Sequence, residues 1–547
     1  MIPTRHLAAS FMSAAIATPV IFLLWIALSS PNATWLALFS PTIITGAVNT
    51  FLLCAGVAVL VCLIGVGTAW LVVAYQFKSR HILSWALLLP LAIPAYIEAY
   101  VYLDLLHPLG PIQSLIRETL GYSSPKQWRF ADLRGLPMAI LLLGFVLYPY
   151  VYLSTRAMFM TQPGNLIHAA RSLGLSEFAA FRRVVLPMAR PAIAIGLSLA
   201  LLETINDIGA SEFLGVRTLT VEIYTNWNTK GDLVGGARIS ILLLTIILII
   251  AFFLRDKKNQ ASYRNARGTN SIEPRELSPK ACALVLVLGW LPVLVGFIAP
   301  CSYLIYQIAN RLEGTEIFTT SILEALSNSV LIASSATLIC MMCAIIFAWS
   351  AREPITSLTS SVKIKISGYI GKIGYTVPGT MLAIGLITPY GWLDRMLNSL
   401  LNLIGYPTTG LLILGSTAGV ACACAIRFIA IAIGNLNAGM ARIPSSIDQA
   451  ARGLGATGVS LLFRVHLPII QPAIIASTLL IFVECLKELP VTLMLRPLNT
   501  ETLSTLLYAD ASRGNYEESA LAALLIVLAG IVPVILLTRI HPTGRHH

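Results

Sequence analysis

The segment Ala169-Ala-Arg-Ser-Leu-Gly174 recurs 281 residues later as Ala450-Ala-Arg-Gly-Leu-Gly455. When both copies are continued without a gap over 25 residues, 12 positions are identical, among them Leu186-Pro187 and Leu467-Pro468. Self-similarity at a fixed offset is the sequence signature of an internal duplication. The chain is therefore predicted to consist of two related halves, each with one copy of the segment.

The composition of the chain places both halves in a membrane. Of the 547 residues, 56% are hydrophobic and only 11% are Asp, Glu, Lys or Arg, whereas soluble domains carry roughly 25% charged residues. The mean hydropathy is +0.79. These values exclude a soluble globular protein, which needs charges to cover its surface, and a disordered chain, which is poor in apolar residues. The net charge of +12 is interpreted as membrane orientation, not as nucleic-acid binding.

Long apolar runs predict the number of membrane spans. A spanning helix needs about 20 apolar residues, because it must cross a hydrocarbon core about 30 Å thick. Only a helix satisfies all backbone hydrogen bonds within one such segment, so the predicted fold is an all-α polytopic membrane protein. Twelve candidate spans are predicted, near 11–30, 43–75, 82–106, 136–155, 187–204, 236–254, 281–306, 327–350, 369–388, 415–437, 467–484 and 518–538.

A polar, basic stretch at 255–280 separates six predicted spans from six others. We predict a first repeat at 1–255, a cytoplasmic linker at 256–280 and a second repeat at 281–547. The linker is interpreted as a solvated tether, with binding of anionic lipid or of a partner as the alternative. Six spans return the chain to its starting side, so the repeats are predicted to be parallel, with a pathway at their interface.

The repeated segments occupy polar loops at about 164–186 and 445–467, directly before spans five and eleven. Gly174 and Gly455 are expected to end a short loop helix, because glycine allows a sharp turn. Proline in the first turn of a helix costs no hydrogen bond, so each Leu-Pro pair is predicted to begin the next helix.

This pattern resembles the EAA loop of binding-protein-dependent ABC importer permeases: two alanines, a glycine four residues after the second, and Leu-Pro twelve residues later. The resemblance implies a type I ABC importer fold with two parallel six-helix repeats, whose loops form coupling helices that dock on a cytoplasmic ATPase. The leading Glu of the family pattern is replaced by His168 and Gln449. The positions to which the resemblance assigns ATPase coupling are Ala169, Ala170, Gly174, Leu186, Pro187, Ala450, Ala451, Gly455, Leu467 and Pro468.

Further segments are similar to the fused ferric-iron permeases, in which both repeats form one chain. They are Leu486-Lys-Glu-Leu-Pro490, Tyr375-Thr-Val-Pro-Gly379 and Asn206-Asp-Ile-Gly209. This resemblance implies a multi-pass permease of the bacterial inner membrane that receives iron(III) from a periplasmic binding protein and moves it by alternating access. A fused permease for thiamine or another small solute shares this architecture, and an ion-coupled secondary transporter is the alternative from a different class.

No ATP-binding site is expected on this chain. The sequence contains no G-x-x-x-x-G-K-[ST] motif, whose backbone and lysine cradle phosphates. We therefore expect a transport permease and not an enzyme, with no cofactor of its own and with ATP and magnesium bound by a separate ATPase homodimer. The other expected partners are the periplasmic binding protein and the lipid membrane, and no nucleic acid.

Ionisable groups within or beside the spans are costly, which makes them functional candidates. A spacing of four residues predicts that Glu203 shares a helix face with Asp207, and Glu484 with Glu488. Together with Glu98 in span three, these acids are predicted to line the substrate pathway and to attract a trivalent cation, which prefers oxygen ligands. The alternative is that they cap helices or dock the binding protein.

Two other features leave alternatives open. Arg427 lies inside span ten, where it is expected either to pair with an acid across the interface between the repeats or to extend toward the cytoplasmic side. The nine cysteines are predicted to be small packing residues, although Cys340-Met-Met-Cys343 has metal or redox spacing. No fixed metal site is predicted.

Overall fold

The computed structural model describes residues 4–29, 35–161, 169–254, 274–312, 319–352, 377–407, 410–456 and 458–540. Most of these residues are helical, which confirms the predicted all-α fold. The one strand pair in the described ranges is a two-residue parallel ladder between Tyr75–Gln76 and Arg275–Glu276.

Long apolar helices are joined by short helices in the connections. Those of the first repeat are Thr4–Ser29, Trp35–Phe39, Pro41–Ala74, Arg80–Ala86, Leu89–Ala92, Ala95–Leu105, Pro111–Thr119, Leu136–Thr161, Glu177–Ala180, Phe181–Val185, Leu186–Asn206, Gly209–Phe213, Leu219–Asn228 and Leu233–Leu254. Those of the second repeat are Pro279–Val293, Leu294–Ile298, Ala299–Leu312, Thr320–Arg352, Gly379–Leu403, Thr417–Ala441, Ser445–Gly453, Gly458–Leu461, Leu462–His466, Leu467–Ile469, Gln471–Leu486, Pro490–Leu495, Leu503–Arg513 and Tyr516–Ile540.

Nine of the described helices are long and apolar enough to cross a membrane, and two bent helix pairs raise the number to eleven. Large apolar side chains on these helices, such as Phe51 and Leu63, are exposed, as expected of residues that face lipid. The twelfth predicted span, near 369–388, lies partly outside the described residues. Its described part belongs to the helix Gly379–Leu403, which is not among the nine.

The span expected at 82–106 is broken instead of continuous. Its two parts, Arg80–Ala92 and Ala95–Leu105, are bent by 90° at the break. Ile93 has an extended backbone with φ −98° and ψ 119°, which is the conformation that a following proline favours. Pro94 thus ends one helix and stands at the N-cap of the next.

The span expected at 467–484 also contains a break. The helical segments Gly458–Ile469 and Gln471–Leu486 are bent by 76°. The break falls at Ile470, two residues before Pro472. Proline lacks the N–H group that would continue the helical hydrogen-bond ladder, so the chain changes direction where this group is missing.

The described helices form two compact units, and each unit takes segments from both sequence repeats. One unit comprises Met1–Leu38, Ile223–Ile241 and Phe318–Ala509, and the other comprises Phe39–Glu222, Leu242–Ile317 and Asp510–His547. In the first unit, for example, the N-terminal helix Thr4–Ser29 packs against the second-repeat helix Gly379–Leu403. The compact units therefore cut across the repeats that the sequence shows.

Each unit contains the same three-helix core. In one unit the three mutually packed helices are Pro41–Ala74, Leu136–Thr161 and Leu186–Asn206. In the other unit they are Thr320–Arg352, Thr417–Ala441 and Gln471–Leu486. The equivalent positions of these helices within the two repeats support the duplication that the sequence predicts.

An asparagine in the second predicted span of each repeat braces a distant connection. Asn49 Nδ2 donates to the carbonyl oxygen of Arg217 at 3.0 Å. Asn328 Nδ2 donates to the carbonyl oxygen of Glu501, also at 3.0 Å. Two equivalent side chains thus bind two equivalent backbone carbonyls.

The residue after each asparagine completes the brace. Thr50 Oγ1 accepts a hydrogen bond from the backbone N–H of Leu219 at 2.9 Å. Ser329 Oγ accepts one from the backbone N–H of Leu503 at 2.8 Å. In both repeats the accepted N–H lies at the start of a helix, where backbone N–H groups have no partner within the helix.

Replacement of Ser329 by Ala is expected to lower the melting temperature of the purified protein in detergent. The substitution leaves the buried N–H of Leu503 without its acceptor, which costs about 1–3 kcal/mol. Ser327→Ala is the matched control, because Ser327 Oγ is exposed and bonds only to Glu324 O within its own helix. Equal melting temperatures for the two variants would contradict the proposed brace.

Candidate functional site

The short helix of the first repeated loop ends with two backbone hydrogen bonds that depart from the regular α-helical spacing of four residues. Gly174 N donates to Arg171 O at 2.9 Å, and Leu175 N donates to Ala170 O at 3.2 Å. Residue 168 and the six residues before it lie outside the described residues, so the predicted replacement of the family Glu by His168 has no structural description.

The second repeated loop ends its helix Ser445–Gly453 in the same way. Gly455 N donates to Arg452 O at 3.0 Å, and Ala456 N donates to Ala451 O at 3.0 Å. In both loops these bonds form a Schellman motif, which satisfies carbonyl groups at the C-terminus of a helix. The motif requires a left-handed residue just past the helix end.

The left-handed residue is the repeated glycine. Gly174 and Gly455 both have φ +85°, a backbone conformation that L side chains rarely adopt. This geometry confirms the prediction that glycine ends the loop helix. A Cβ atom at either position would meet no atom within 4 Å, so strain of the backbone alone selects glycine here within the described structure.

Each turn presents a leucine to solvent. Leu173 is 85% exposed and Leu454 is 90% exposed, and both directly precede the left-handed glycine. Phe178 and Val459, which are equivalent in the two repeats, are exposed as well. Exposed apolar side chains in a polar loop mark an interaction surface. None of these four residues was predicted from the sequence. The identity of Leu173 and Leu454 across the repeat was the available signal for the two leucines.

The Leu-Pro pairs do not begin new helices, contrary to the prediction. The chain is helical from Glu177 to Asn206 through Leu186-Pro187. A π-helical turn at Phe181–Val185 precedes this proline, and an equivalent π turn at Leu462–His466 precedes Pro468. A π turn shifts the backbone hydrogen bonds by one residue. This shift accommodates a residue without an N–H group, so the helix passes the proline without a break.

Glu98 is fully buried in the unit that contains residues 39–222. Neither of its carboxylate oxygens has a hydrogen-bond partner within the described structure. A buried ionisable group without partners is costly, which is typical of a functional residue in a membrane segment. Its predicted role in the substrate pathway remains a prediction.

The first-repeat acids Glu203 and Asp207 do not share a helix face, because the helix ends at Asn206. Asp207 has an extended backbone, with φ −70° and ψ 126°. Its carboxylate accepts hydrogen bonds from the backbone N–H groups of Ala210 at 3.3 Å and Ser211 at 2.8 Å. The half-buried Asp207 therefore binds two backbone N–H groups of the short helix Gly209–Phe213 that follows it.

The second-repeat acids do not share a helix face either, because the helix ends at Leu486, and each is paired with a cation. Glu484 Oε1 lies 2.8 Å from Lys487 Nζ. Glu488 Oε1 lies 2.5 Å from Arg427 Nη1, and both side chains are buried. Glu488 Oε1 also accepts from the backbone N–H of Val491 at 3.0 Å, in the first turn of the helix Pro490–Leu495. Arg427 therefore pairs with an acid of its own repeat and not, as one alternative predicted, with an acid across the interface between the repeats.

Gly379, the last residue of one ferric-permease segment, leaves space for this ion pair. A Cβ atom at position 379 would collide with Arg427 Nη1 and would approach Pro490 Cβ to 3.0 Å. Glycine is therefore needed for the close approach of the guanidinium to the helix Gly379–Leu403. Tyr375 and Thr376 of the same segment lie outside the described residues.

No group of three or more His, Cys, Asp or Glu side chains in the described ranges is arranged to hold a metal ion. All nine cysteines are free thiols, and Cys340 Sγ bonds to the carbonyl oxygen of Ala425 at 3.2 Å.

Residues 62–258 and 281–544 match the family of the binding-protein-dependent transport system inner membrane component. The chain is 25% identical over 514 residues to the Fe(3+)-transport system permease protein FbpB 2 of Haemophilus influenzae, which covers 92% of this chain and 91% of that protein.

Other relatives match only part of the chain. The molybdenum transport system permease protein ModB of Escherichia coli is 29% identical over 191 residues, or 34% of this chain and 80% of that protein. The sulfate transport system permease protein CysW of the same species is 28% identical over 200 residues, or 35% of this chain and 64% of that protein.

The duplicated apolar helices and the two equivalent exposed loops are the features of an integral membrane permease. The chain belongs to the family of binding-protein-dependent transport system inner membrane components. It is a fused, two-repeat ABC importer permease with the type I fold. The members of this family are transport permeases and not enzymes.

The strain at Gly455 provides a graded test of the coupling loop. Gly455→Ala is expected to reduce ATP-dependent transport several-fold, and Gly455→Asn less, because Asn tolerates the left-handed region better. Gly453→Ala is the matched control, since this helical glycine has open space around it and Ala favours helix. Transport is measured in proteoliposomes. A defect in Gly453→Ala as large as that in Gly455→Ala would refute the role of the turn.

Proposed function

We propose that this chain is the membrane subunit of an ATP-driven importer in the bacterial inner membrane that translocates iron(III). A periplasmic binding protein delivers the iron, and a separate cytoplasmic ATPase homodimer drives alternating access. ATP and magnesium bind to that ATPase, and the permease contributes no cofactor of its own.

The match to a full-length relative carries the choice of substrate. The Fe(3+) permease aligns over 92% of this chain and thus over both repeats. The molybdenum and sulfate permeases align over 34% and 35% of this chain, which is less than one complete half. The relative that shares the fused two-repeat organisation is therefore the iron permease, whereas the two oxyanion permeases match less than half of this chain.

The repeated loops support coupling to an ATPase. Leu173 and Leu454 project from two turns of the same backbone geometry. A homodimer offers two identical surfaces, and two equivalent exposed leucines are complementary to such a partner. The proposed coupling positions lie near these leucines in the sequence and are Ala169, Ala170, Gly174, Leu186, Pro187, Ala450, Ala451, Gly455, Leu467 and Pro468.

The charge of the first-repeat acids supports a cationic substrate. In the second repeat Lys487 and Arg427 neutralise Glu484 and Glu488. At an offset of 281 the first repeat has Asn206 and Val146 in place of these cations. The first repeat therefore lacks residues equivalent to these two cations, and acidic side chains attract a trivalent cation.

Two alternatives predict different transport properties. A permease of the same architecture for thiamine, an oxyanion or another small solute would use the same ATPase coupling. An ion-coupled secondary transporter would need no ATPase, but it leaves the family match and the doubled loop unexplained.

The function is tested with the permease and its ATPase reconstituted in proteoliposomes. A binding protein loaded with iron(III) is expected to stimulate ATP hydrolysis and ATP-dependent uptake of radiolabelled iron. Binding proteins loaded with thiamine or molybdate are the controls. ATP-dependent uptake of one of these solutes without iron uptake would contradict the substrate. Uptake driven by an ion gradient without ATP would contradict the coupling.

The first-repeat acids are tested by charge. Glu203→Gln is expected to reduce iron uptake several-fold, whereas Glu203→Asp keeps the charge and is expected to keep most of the uptake. Glu324→Gln is the control, because it removes one charge from an exposed acid outside the predicted pathway. Equal uptake by Glu203→Gln and the control would exclude an electrostatic role of Glu203.

A further inference from the structure

The second coupling loop is fastened to the end of a membrane helix by one arginine. Arg352 is the last residue of the helix Thr320–Arg352. Its Nε donates to Asp448 Oδ2 at 2.9 Å and its Nη2 donates to Asp448 Oδ1 at 3.2 Å. This two-point contact fixes the orientation of the carboxylate as well as its distance. Asp448 lies in the first turn of the loop helix Ser445–Gly453.

The same guanidinium also holds the chain that leads into the loop. Arg352 Nη2 donates to Ile443 O at 2.9 Å, and Nη1 donates to Met440 O. Both carbonyls belong to the end of the helix Thr417–Ala441 and the turn after it, where carbonyl groups have no partner within the helix. One side chain therefore joins the ends of two membrane helices to the start of the coupling helix.

A histidine extends the network to the next helix. His466 Nε2 lies 3.0 Å from Asp448 Oδ1, and His466 is only 2% exposed. It is the last residue of the π turn Leu462–His466 that enters the following helical segment. Partial burial raises the pKa of Asp448, but the bonds and charges of Arg352 and His466 outweigh it and hold this pKa below its ordinary value. The carboxylate is therefore charged at neutral pH.

The first repeat has apolar residues at the positions equivalent to this arginine, aspartate and histidine. At offsets of 279 and 281, the positions of Arg352, Asp448 and His466 correspond to Val73, Ile167 and Val185. Valine and isoleucine cannot form an ionic or hydrogen-bonded network. The shared backbone of the two loops is thus combined with different attachments.

The first loop is held by the end of the linker instead. Glu177 Oε2 pairs with Arg275 Nη1 at 2.9 Å, with side chains 39% and 52% exposed. The backbone of Arg275 pairs with Tyr75 in the two-residue parallel ladder. An exposed ion pair contributes little, because water and salt screen it. The corresponding exposures of Asp448 and Arg352 are only 17% and 13%, so the second attachment is better shielded.

We propose that Arg352, acting through Asp448 and His466, is the positioning residue that makes the second coupling loop move as one body with its membrane helices, and that the Glu177–Arg275 attachment of the first loop is the weaker of the two. This inference rests on the proposed coupling to a separate ATPase. It implies that the two loops contribute unequally to coupling, although their turns have the same geometry.

The test uses the complete complex in proteoliposomes and measures iron transported per ATP hydrolysed, together with hydrogen exchange of residues 445–453. Arg352→Met is expected to lower the ratio roughly tenfold while ATP hydrolysis continues, since it leaves a shielded carboxylate without its main partner. Hydrogen exchange of the loop is expected to accelerate. Arg352→Lys is not expected to restore the ratio, because an ammonium group cannot reproduce the two-point contact and both carbonyl bonds.

Two other arginines provide the comparison. Arg442→Met removes an exposed arginine from the same region and is expected to change neither measurement. Arg275→Met is expected to change the ratio less than Arg352→Met and to leave exchange at 445–453 unchanged, because Arg275 attaches the other loop. Equal effects of Arg275→Met and Arg352→Met on the ratio would overturn the inequality of the loops.

A purely structural role of Arg352 has its own signature. In that case Arg352→Met would lower the yield of assembled complex, but the complex that forms would transport iron per ATP as the wild type does, and the proposal would be wrong.

If Arg352→Met yields no complex, Asp448→Asn keeps the shape of the side chain and is expected to lower the ratio in the same way; an unchanged ratio would overturn the proposal. Absence of ATP-dependent iron transport by the wild type would instead contradict the proposed function, and loop exchange in the Arg352 and Arg442 variants would still decide the network.

Discussion

Backbone amide and carbonyl groups find no water inside a bilayer, so every interruption of a membrane helix needs a substitute partner for the groups it exposes. The equivalent helices Leu186–Asn206 and Gln471–Leu486 end before short helices, and side chains supply such partners there. Asp207 and Glu488 accept hydrogen bonds from backbone N–H groups of the short helices that follow. Asn49 and Asn328 bind carbonyls of distant connections. These polar side chains stabilise the helix ends and connections in addition to the apolar packing.

The same scaffold carries different charges in its two copies. The repeated turns at Gly174 and Gly455 have the same φ angle and the same hydrogen bonds. Around them, one copy holds Asp448 in a shielded network, and the other has an exposed ion pair with the linker. The fused chain thus has two turns of similar geometry with unequal attachments.

Much of the fold could be predicted because hydropathy reports membrane spans directly. The prediction failed where one residue outweighed the average over a window, as at Pro94, which breaks an apolar run that looks continuous. It failed in the opposite sense at Leu186-Pro187, where a π turn lets the helix continue through proline. The expected shared face of Glu203 and Asp207 was wrong for a related reason, since the helix ends between them. Helix ends depend on side-chain partners that a periodic pattern does not contain.

The sequence by itself determined the membrane class, the helical fold, the duplication and the glycine turn of each loop. Each of these depends on composition or on the local energy of the backbone, which neighbouring residues settle. Only the tertiary structure decided which charges meet, as in the pairs Arg427–Glu488, 61 residues apart, and Arg352–Asp448, 96 residues apart. It also decided that each compact unit takes helices from both repeats. The physical reason is that such pairings depend on how distant helices pack, and no local pattern encodes the partner.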